Sequence, residues 1–154
     1  MFRAAIITAS DKGAAGERRD ISKEVIREIL VQKGYRIVSY TLIPDEQPLI
    51  EKELMRLCDE DLADLIVTTG GTGLSVRDRT PEATLAVADR NIPGIAEVMR
   101  AGSMAITNRA MLSRGAAVIR GKTLILNLPG SPKAAKENLL LVIDALQHGL
   151  EILR

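Results

Sequence analysis

Leu65-Ile66-Val67-Thr68-Thr69-Gly70-Gly71-Thr72-Gly73 is the stretch on which the fold turns. Its first five residues read as a short apolar strand. They run directly into Gly70, Gly71 and Gly73, a glycine density that cannot continue a sheet, so a tight loop begins there. Thr80-Pro81 then reads as an N-cap and first-turn pair opening a helix through Leu85, Val87 and Ala88. Strand, glycine loop and helix in that order form one unit of an α/β protein.

The same unit recurs on either side. Ala4 to Thr8 is a short apolar strand closed by polar Ser10 and Asp11, and Ser22 to Lys33 carries Val25, Ile26, Ile29 and Leu30 at helical spacing before the capping Gly34. Tyr35 to Ile43 is a second strand ending at Pro44, and Pro48 starts a helix through Leu54, Leu57 and Cys58. Pro93 starts another helix. Ala116 to Ile119 and Thr123 to Leu128 flank Arg120-Gly121-Lys122 as a hairpin, and Ser131-Pro132 opens a last helix with an apolar stripe at Leu139, Leu140, Val142, Ile143, Leu146, Leu150 and Leu153. The pattern predicts a three-layer α/β fold: a mostly parallel sheet, helices on both faces and a small antiparallel hairpin. With 154 residues and no linker or repeat, residues 1–154 are expected to form a single domain.

Composition removes several function classes. Lys plus Arg number 21 against 20 for Asp plus Glu, without a basic cluster, and aromatics are 2%, so nothing points to nucleic acid or an anionic membrane. The apolar runs fall short of the ~20 residues of a membrane span, and Met1 is not followed by a charged and then apolar leader, so a cytoplasmic protein is expected. Cys58, the single cysteine, reads as a buried or half-buried thiol. One cysteine and one distant histidine cannot build a zinc site or a nucleophile-base pair, and His148 reads as exposed charge on the last helix. Met99, Met104 and Met111 read as core packing.

Ligands in such folds bind in loops at the carboxyl ends of strands. Four loops qualify: Ser10-Asp11; Pro44-Asp45-Glu46; Thr68 to Asp78; and Pro129-Gly130-Ser131-Pro132. Glycines at 70, 71 and 73 permit positive φ and close backbone approach, so that successive N–H groups form an anion-binding concavity, or they simply make a tight turn. The loop lacks the Lys-Ser or Lys-Thr of a Walker A motif and is not a dinucleotide fingerprint. Ser131 caps a helix N-terminus, where free amides and the dipole favour an anion, and Lys133 adds positive charge there. Asp45 and Asp78 sit where carboxylates hold Mg²⁺ together with phosphate oxygens. The plainer alternatives are that Asp45 starts a turn and that Asp78 pairs with Arg77 or Arg79.

Taken together, the ordered motifs Ser10-Asp11, Ile43-Pro44-Asp45-Glu46, Thr68 to Ser75, Arg77-Asp78, Thr80-Pro81-Glu82-Ala83-Thr84 and Asn127 to Pro132 resemble the molybdopterin adenylyltransferase family, along nearly the whole chain. That family includes a paralogue group of molybdenum-cofactor biosynthesis proteins and one domain of molybdenum-insertion enzymes. The resemblance implies a homotrimer that binds molybdopterin and ATP, uses Mg²⁺, and transfers AMP to the terminal phosphate of molybdopterin with release of pyrophosphate. It maps catalytic and metal-holding roles onto Asp45 and Asp78. Cofactor-binding roles fall on Gly70, Gly71, Thr72, Gly73, Pro129, Gly130 and Ser131, and substrate-binding roles on Ser10, Asp11, Thr69 and Ser75, with Ser113 and Arg114 as further candidates. A molybdenum-insertion enzyme is the implied protein partner, and a catalytically inactive carrier is the alternative reading. The chain departs from the family pattern at Lys12, Val76 and Arg79; Arg79 stands beside Asp78, where it either pairs with that carboxylate or meets a phosphate.

Overall fold

The computed structural model describes residues 1–154. Strands β1 (Arg3–Ala9), β2 (Arg36–Ile43), β3 (Leu65–Thr69), β4 (Arg90–Asn91), β5 (Ala117–Arg120) and β6 (Thr123–Leu128) form one sheet in the order β2-β1-β3-β6-β5-β4. β2, β1, β3 and β6 are mutually parallel, whereas β5 runs antiparallel to β6 and β4 antiparallel to β5. The helices are α1 (Asp11–Ala14), α2 (Ile21–Gln32), α3 (Gln47–Asp59), α4 (Thr80–Val87), α5 (Pro93–Met104) and α6 (Pro132–Leu153), with a 3₁₀ turn at Asn108–Leu112.

The period-2 alternation of the central strands explains the three layers. Ala4, Ile6, Leu65, Val67, Leu124, Leu126 and Leu128 face α2, α5 and α6, packing with Ile26, Leu30, Met99, Leu139, Ile143 and Leu146. Ala5, Ile7, Ile66, Ile125 and Val118 face α3 and α4, packing with Ile50, Leu54, Leu57, Ala83 and Val87. β3 is buried along its whole length, because β1 and β6 flank it and helices cover both faces. β2, at the sheet edge, alternates exposed and half-buried positions.

Several expectations need correction. Thr80 is not the N-cap of α4: Arg79 is, and Thr80 is a fully buried first helical residue whose N–H donates to Gly71 O at 3.2 Å. Leu140 falls outside the buried stripe of α6, being 47% exposed. Of the three methionines, Met99 is core but Met104 and Met111 are surface residues, the latter on the 3₁₀ turn beyond α5. Cys58 is half-buried, with a thiol pushed up to about 11 chiefly by desolvation, and His148 is exposed, both as expected.

The parallel strands end together on one rim, with Ala9 beside Ile43, Thr8 beside Thr69, and Thr69 beside Leu128. Chain order reverses between β1 and β3, leaving a crevice there, the place where α/β sheets accept ligands. The opposite rim is closed by ion pairs: the Arg3 guanidinium bonds Asp64 at 2.9 and 3.1 Å and Asp61 at 2.8 Å.

Candidate functional site

At the crevice the backbones come unusually close. Gly70 adopts φ +93°, and a Cβ there would be driven into the carbonyl oxygen of Ala9. A Cβ on Gly130 would lie 3.3 Å from the Cα of Gly70, so the loops after β3 and β6 touch glycine to glycine. Gly71, at φ +69°, leaves no room for a Cβ beside the Thr80 hydroxyl. Gly73 does not take the positive φ expected of it; a Cβ there would sit 2.9 Å from Asp78 Oδ2 and press that carboxylate to shift. Close packing of this loop on itself and its neighbours bears on its glycines, while the amides of Gly71, Thr72 and Gly73 make no backbone hydrogen bond, and of the three only Gly71 lines the cavity above the loop.

A cavity of about 610 Å³ opens over these contacts. Its wall takes Ser10 from the β1 loop, Asp45 from the β2 loop, Thr69, Gly70, Gly71 and Asp78 from the β3 loop, and Gly130 and Ser131 from the β6 loop, so the four loops converge. Arg18, Arg19, Asp20 and Ser22 close one side, a segment that no motif in the sequence singled out. Its anchor is Asp20, the N-cap of α2, whose carboxylate accepts from Lys23 N (3.0 Å), Thr8 Oγ1 (2.6 Å) and the Tyr40 hydroxyl. Aspartate followed by a helical run was the readable signal for that cap.

The acidic residues divide sharply. Asp11 and Asp45 exchange backbone bonds: Asp11 N donates to Asp45 Oδ2 at 3.0 Å and Asp45 N to Asp11 Oδ1 at 2.9 Å. Arg77 clasps Asp11 through two bonds of 3.0 Å and reaches Glu46 at 3.2 Å, and this pairing holds the Asp11 carboxyl below its ordinary range. Asp45 Oδ1, by contrast, is buried and has no partner. Burial raises the Asp45 pKa, and the neighbouring Asp11 and Asp78 charges push it the same way. The Thr80 hydroxyl, also buried and unpartnered, lies at the same corner against Gly71. Two orphaned polar groups at the edge of a cavity are the mark of a site that completes its bonding with something brought in.

Asp78 pairs with neither Arg77 nor Arg79; its Oδ2 accepts from Ser75 N at 3.0 Å. Arg79 turns away to the Gln47 side chain at 3.0 and 3.2 Å. At α6, Ser131 Oγ accepts from Ala134 N at 3.1 Å, capping a helix that points its N-terminus at the cavity. Thr69 donates to Pro129 O at 2.7 Å and Ser22 to Gly130 O at 2.7 Å, fixing the β6 loop.

The remaining candidates do not line this cavity. Asp11 and Ser75 act through the bonds just described, Pro129 as acceptor for Thr69, and Thr72 is buried, with its carbonyl accepting from Arg114 N. Ser113 accepts from Gly115 N at 3.4 Å through its hydroxyl. The Arg114 side chain is committed to carbonyls of the β3 loop and to Glu82.

Comparison with known proteins identifies the family. Residues 5–148 match the family described as "Probable molybdopterin binding domain". The chain is 45% identical over 156 residues to the molybdopterin adenylyltransferase of Escherichia coli K12, covering 97% of this chain and 80% of that protein. It is 42% identical over 150 residues to the molybdopterin adenylyltransferase of Helicobacter pylori J99, covering 96% and 85%. Among solved structures, the molybdopterin biosynthesis enzyme MoaB of Thermus thermophilus superposes with a TM-score of 0.93 at 52% identity, over 99% of this chain and 96% of that one.

Proposed function

The chain belongs to the molybdopterin-binding-domain family, and from that premise we propose how its rim of loops works. It is a nucleotidyltransferase, a molybdopterin adenylyltransferase of molybdenum cofactor biosynthesis, with ATP as co-substrate. The terminal phosphate oxygen of molybdopterin attacks the α-phosphorus of ATP; that P–O bond forms as the α–β anhydride bond breaks, and pyrophosphate leaves.

Such a transfer needs positioning and charge neutralisation rather than a protein nucleophile. The free amides after β3 and the N-terminus of α6 bind and orient phosphate oxygens. Asp45 and Asp78 would hold Mg²⁺, which supplies charge neutralisation at the phosphates when bound with the nucleotide. The orphaned Asp45 Oδ1 carries this assignment: a buried carboxylate oxygen without a donor suits a cation. Two carboxylates are also what Mg²⁺ takes from a protein when phosphate oxygens complete its shell.

The chain is further read as a homotrimer of the cytoplasm that hands its product to a molybdenum-insertion enzyme. The exposed side chains Val98, Met104, Ile106, Met111 and Leu112, on α5 and the adjoining 3₁₀ turn, supply apolar surface for the assembly.

The test is incubation of the purified protein with molybdopterin and Mg-ATP, following AMP transfer and pyrophosphate release beside an Asp78→Asn control. Transfer that disappears in the control supports the enzyme and its assigned carboxylate. Tight pterin binding with no transfer by the wild type would instead identify an inactive carrier.

A further inference from the structure

The segment from Gly73 to Asp78 closes on itself. Ser75 N donates to Asp78 Oδ2 at 3.0 Å, Asp78 N donates to Ser75 O at 2.9 Å, and Gly73 lies against the Asp78 carboxylate. Its outer surface is solvent: Leu74 is 66% and Val76 91% exposed, so no apolar packing holds the ring in place. Arg77 ties the exposed side of the ring to Asp11 and Glu46, and the ends of the ring are held from a distant part of the chain. Arg114 Nε donates to Gly73 O at 2.8 Å and Nη2 to Asp78 O at 2.8 Å, one bond at each end of the ring. Nη1 reaches Glu82 Oε2 at 2.5 Å on α4, and the Arg114 backbone N–H donates to Thr72 O at 2.9 Å. Each of the three guanidinium nitrogens is thus engaged by the β3 loop or by the helix that follows it, and Arg114 takes no part in the cavity wall.

We propose that Arg114 is a positioning residue for AMP transfer, its guanidinium gripping the carbonyls of Gly73 and Asp78 together so that the ring presents the Asp78 carboxylate to the cavity at a fixed place. The inference deepens the reading of Asp78 given above and rests on it. A planar fork with donors in set directions can bridge two carbonyls and a carboxylate at once; an ammonium on a flexible stem keeps the charge but not that geometry. Glu82 serves the fork as counter-ion, and the pairing holds its own carboxyl below the ordinary range.

Full-length Arg114→Met, Arg114→Lys, Glu82→Gln and Asp78→Asn, with the double variant Arg114→Met/Asp78→Asn, are compared in the AMP-transfer assay after each passes a thermal melt. Because a displacement of about 1 Å in a catalytic group costs about 10²-fold, Arg114→Met is expected to lower kcat by that order while KM for ATP and molybdopterin stays put. Arg114→Lys should fall between it and wild type, and Glu82→Gln should lose least, since both carbonyl bonds survive. The double variant should be no slower than Asp78→Asn alone, the signature of two residues acting through one group. Wild-type kcat in Arg114→Met, or a raised KM for either substrate at unchanged kcat, would overturn the proposal, the second by making Arg114 a ligand contact. Should Arg114→Met not fold, amide exchange in Arg114→Lys decides: faster exchange at residues 74, 75 and 77–78 with the core unchanged supports it, and unchanged exchange overturns it. Full activity in Asp78→Asn would remove the role assigned to Asp78, while the exchange result still reports independently whether Arg114 holds the ring.

Discussion

The two rims of the sheet carry carboxylates in opposite conditions. On the amino-end rim, Asp64 receives the Arg3 backbone N–H at 2.7 Å as well as its guanidinium, and that side-chain bonding lowers its pKa. On the carboxyl-end rim, Asp45 is half-buried, has one oxygen without a donor, and has a raised pKa. The first arrangement has spent its bonding capacity on the fold. The second holds capacity in reserve at a cost in stability, which is what a ligand site requires and a structural ion pair does not.

The largest expected effect tests the second arrangement. Asp78→Asn and Asp45→Asn should each lower AMP transfer by about 10²–10³-fold, the size typical of removing one preorganised electrostatic group, with the melting transition retained. A variant of either kind that keeps wild-type kcat would erase the distinction between the rims. Gly70→Ala comes next: its Cβ meets the Ala9 carbonyl at a positive φ, so destabilisation of about 2–4 kcal/mol is expected in a denaturant titration. Arg3→Ala, on the other rim, should cost about 1–3 kcal/mol of stability with kcat unchanged, because it unpairs a partly buried charge far from the cavity.

The finest test uses pH, and the two carboxylates have opposite signs. Asp64 has a depressed folded-state pKa, so its contribution is present above the ordinary value of 3.8 and lost as pH falls through the folded value. Asp45 has a raised one, so its contribution is present below 3.8 and lost as pH rises through the folded value. Asp64→Asn should therefore flatten the acid-side loss of stability, while Asp45→Asn should leave the protein at neutral pH as stable as wild type or slightly more so.

Much of this was readable from sequence where the signal is local. β3 runs from Leu65 to Thr69 as its composition required, β6 from Thr123 to Leu128, and the loops after β1, β2, β3 and β6 meet because parallel neighbours share a rim. What stayed hidden depends on contacts between distant residues. Thr80-Pro81 has the local form of a cap, yet packing draws Thr80 into the helix and its hydroxyl to Gly71. Arg114 looks like a ligand-binding arginine, and nothing in its neighbourhood reveals that its partners lie 32 to 41 positions earlier. The 11–20 segment holds no hydrophobic period, so neither the four-residue α1 nor the cavity wall at Arg18 and Arg19 was legible, and only the Asp20 cap carried a local signal. Met104 and Met111 have apolar neighbours in sequence but remain 40% and 61% exposed.

The contact of Gly70 with Gly130 bears on how such a site can diversify. A Cβ at Gly70 meets the Ala9 carbonyl and one at Gly130 meets the Gly70 main chain, so the floor is made of main-chain atoms, which every amino acid shares, and a substitution at either position moves backbone rather than retuning a side chain. Inherited or engineered changes in substrate preference fall instead to the side wall at Arg18, Arg19 and Ile21. A mutational library confined to those positions would explore new specificities on an unchanging base.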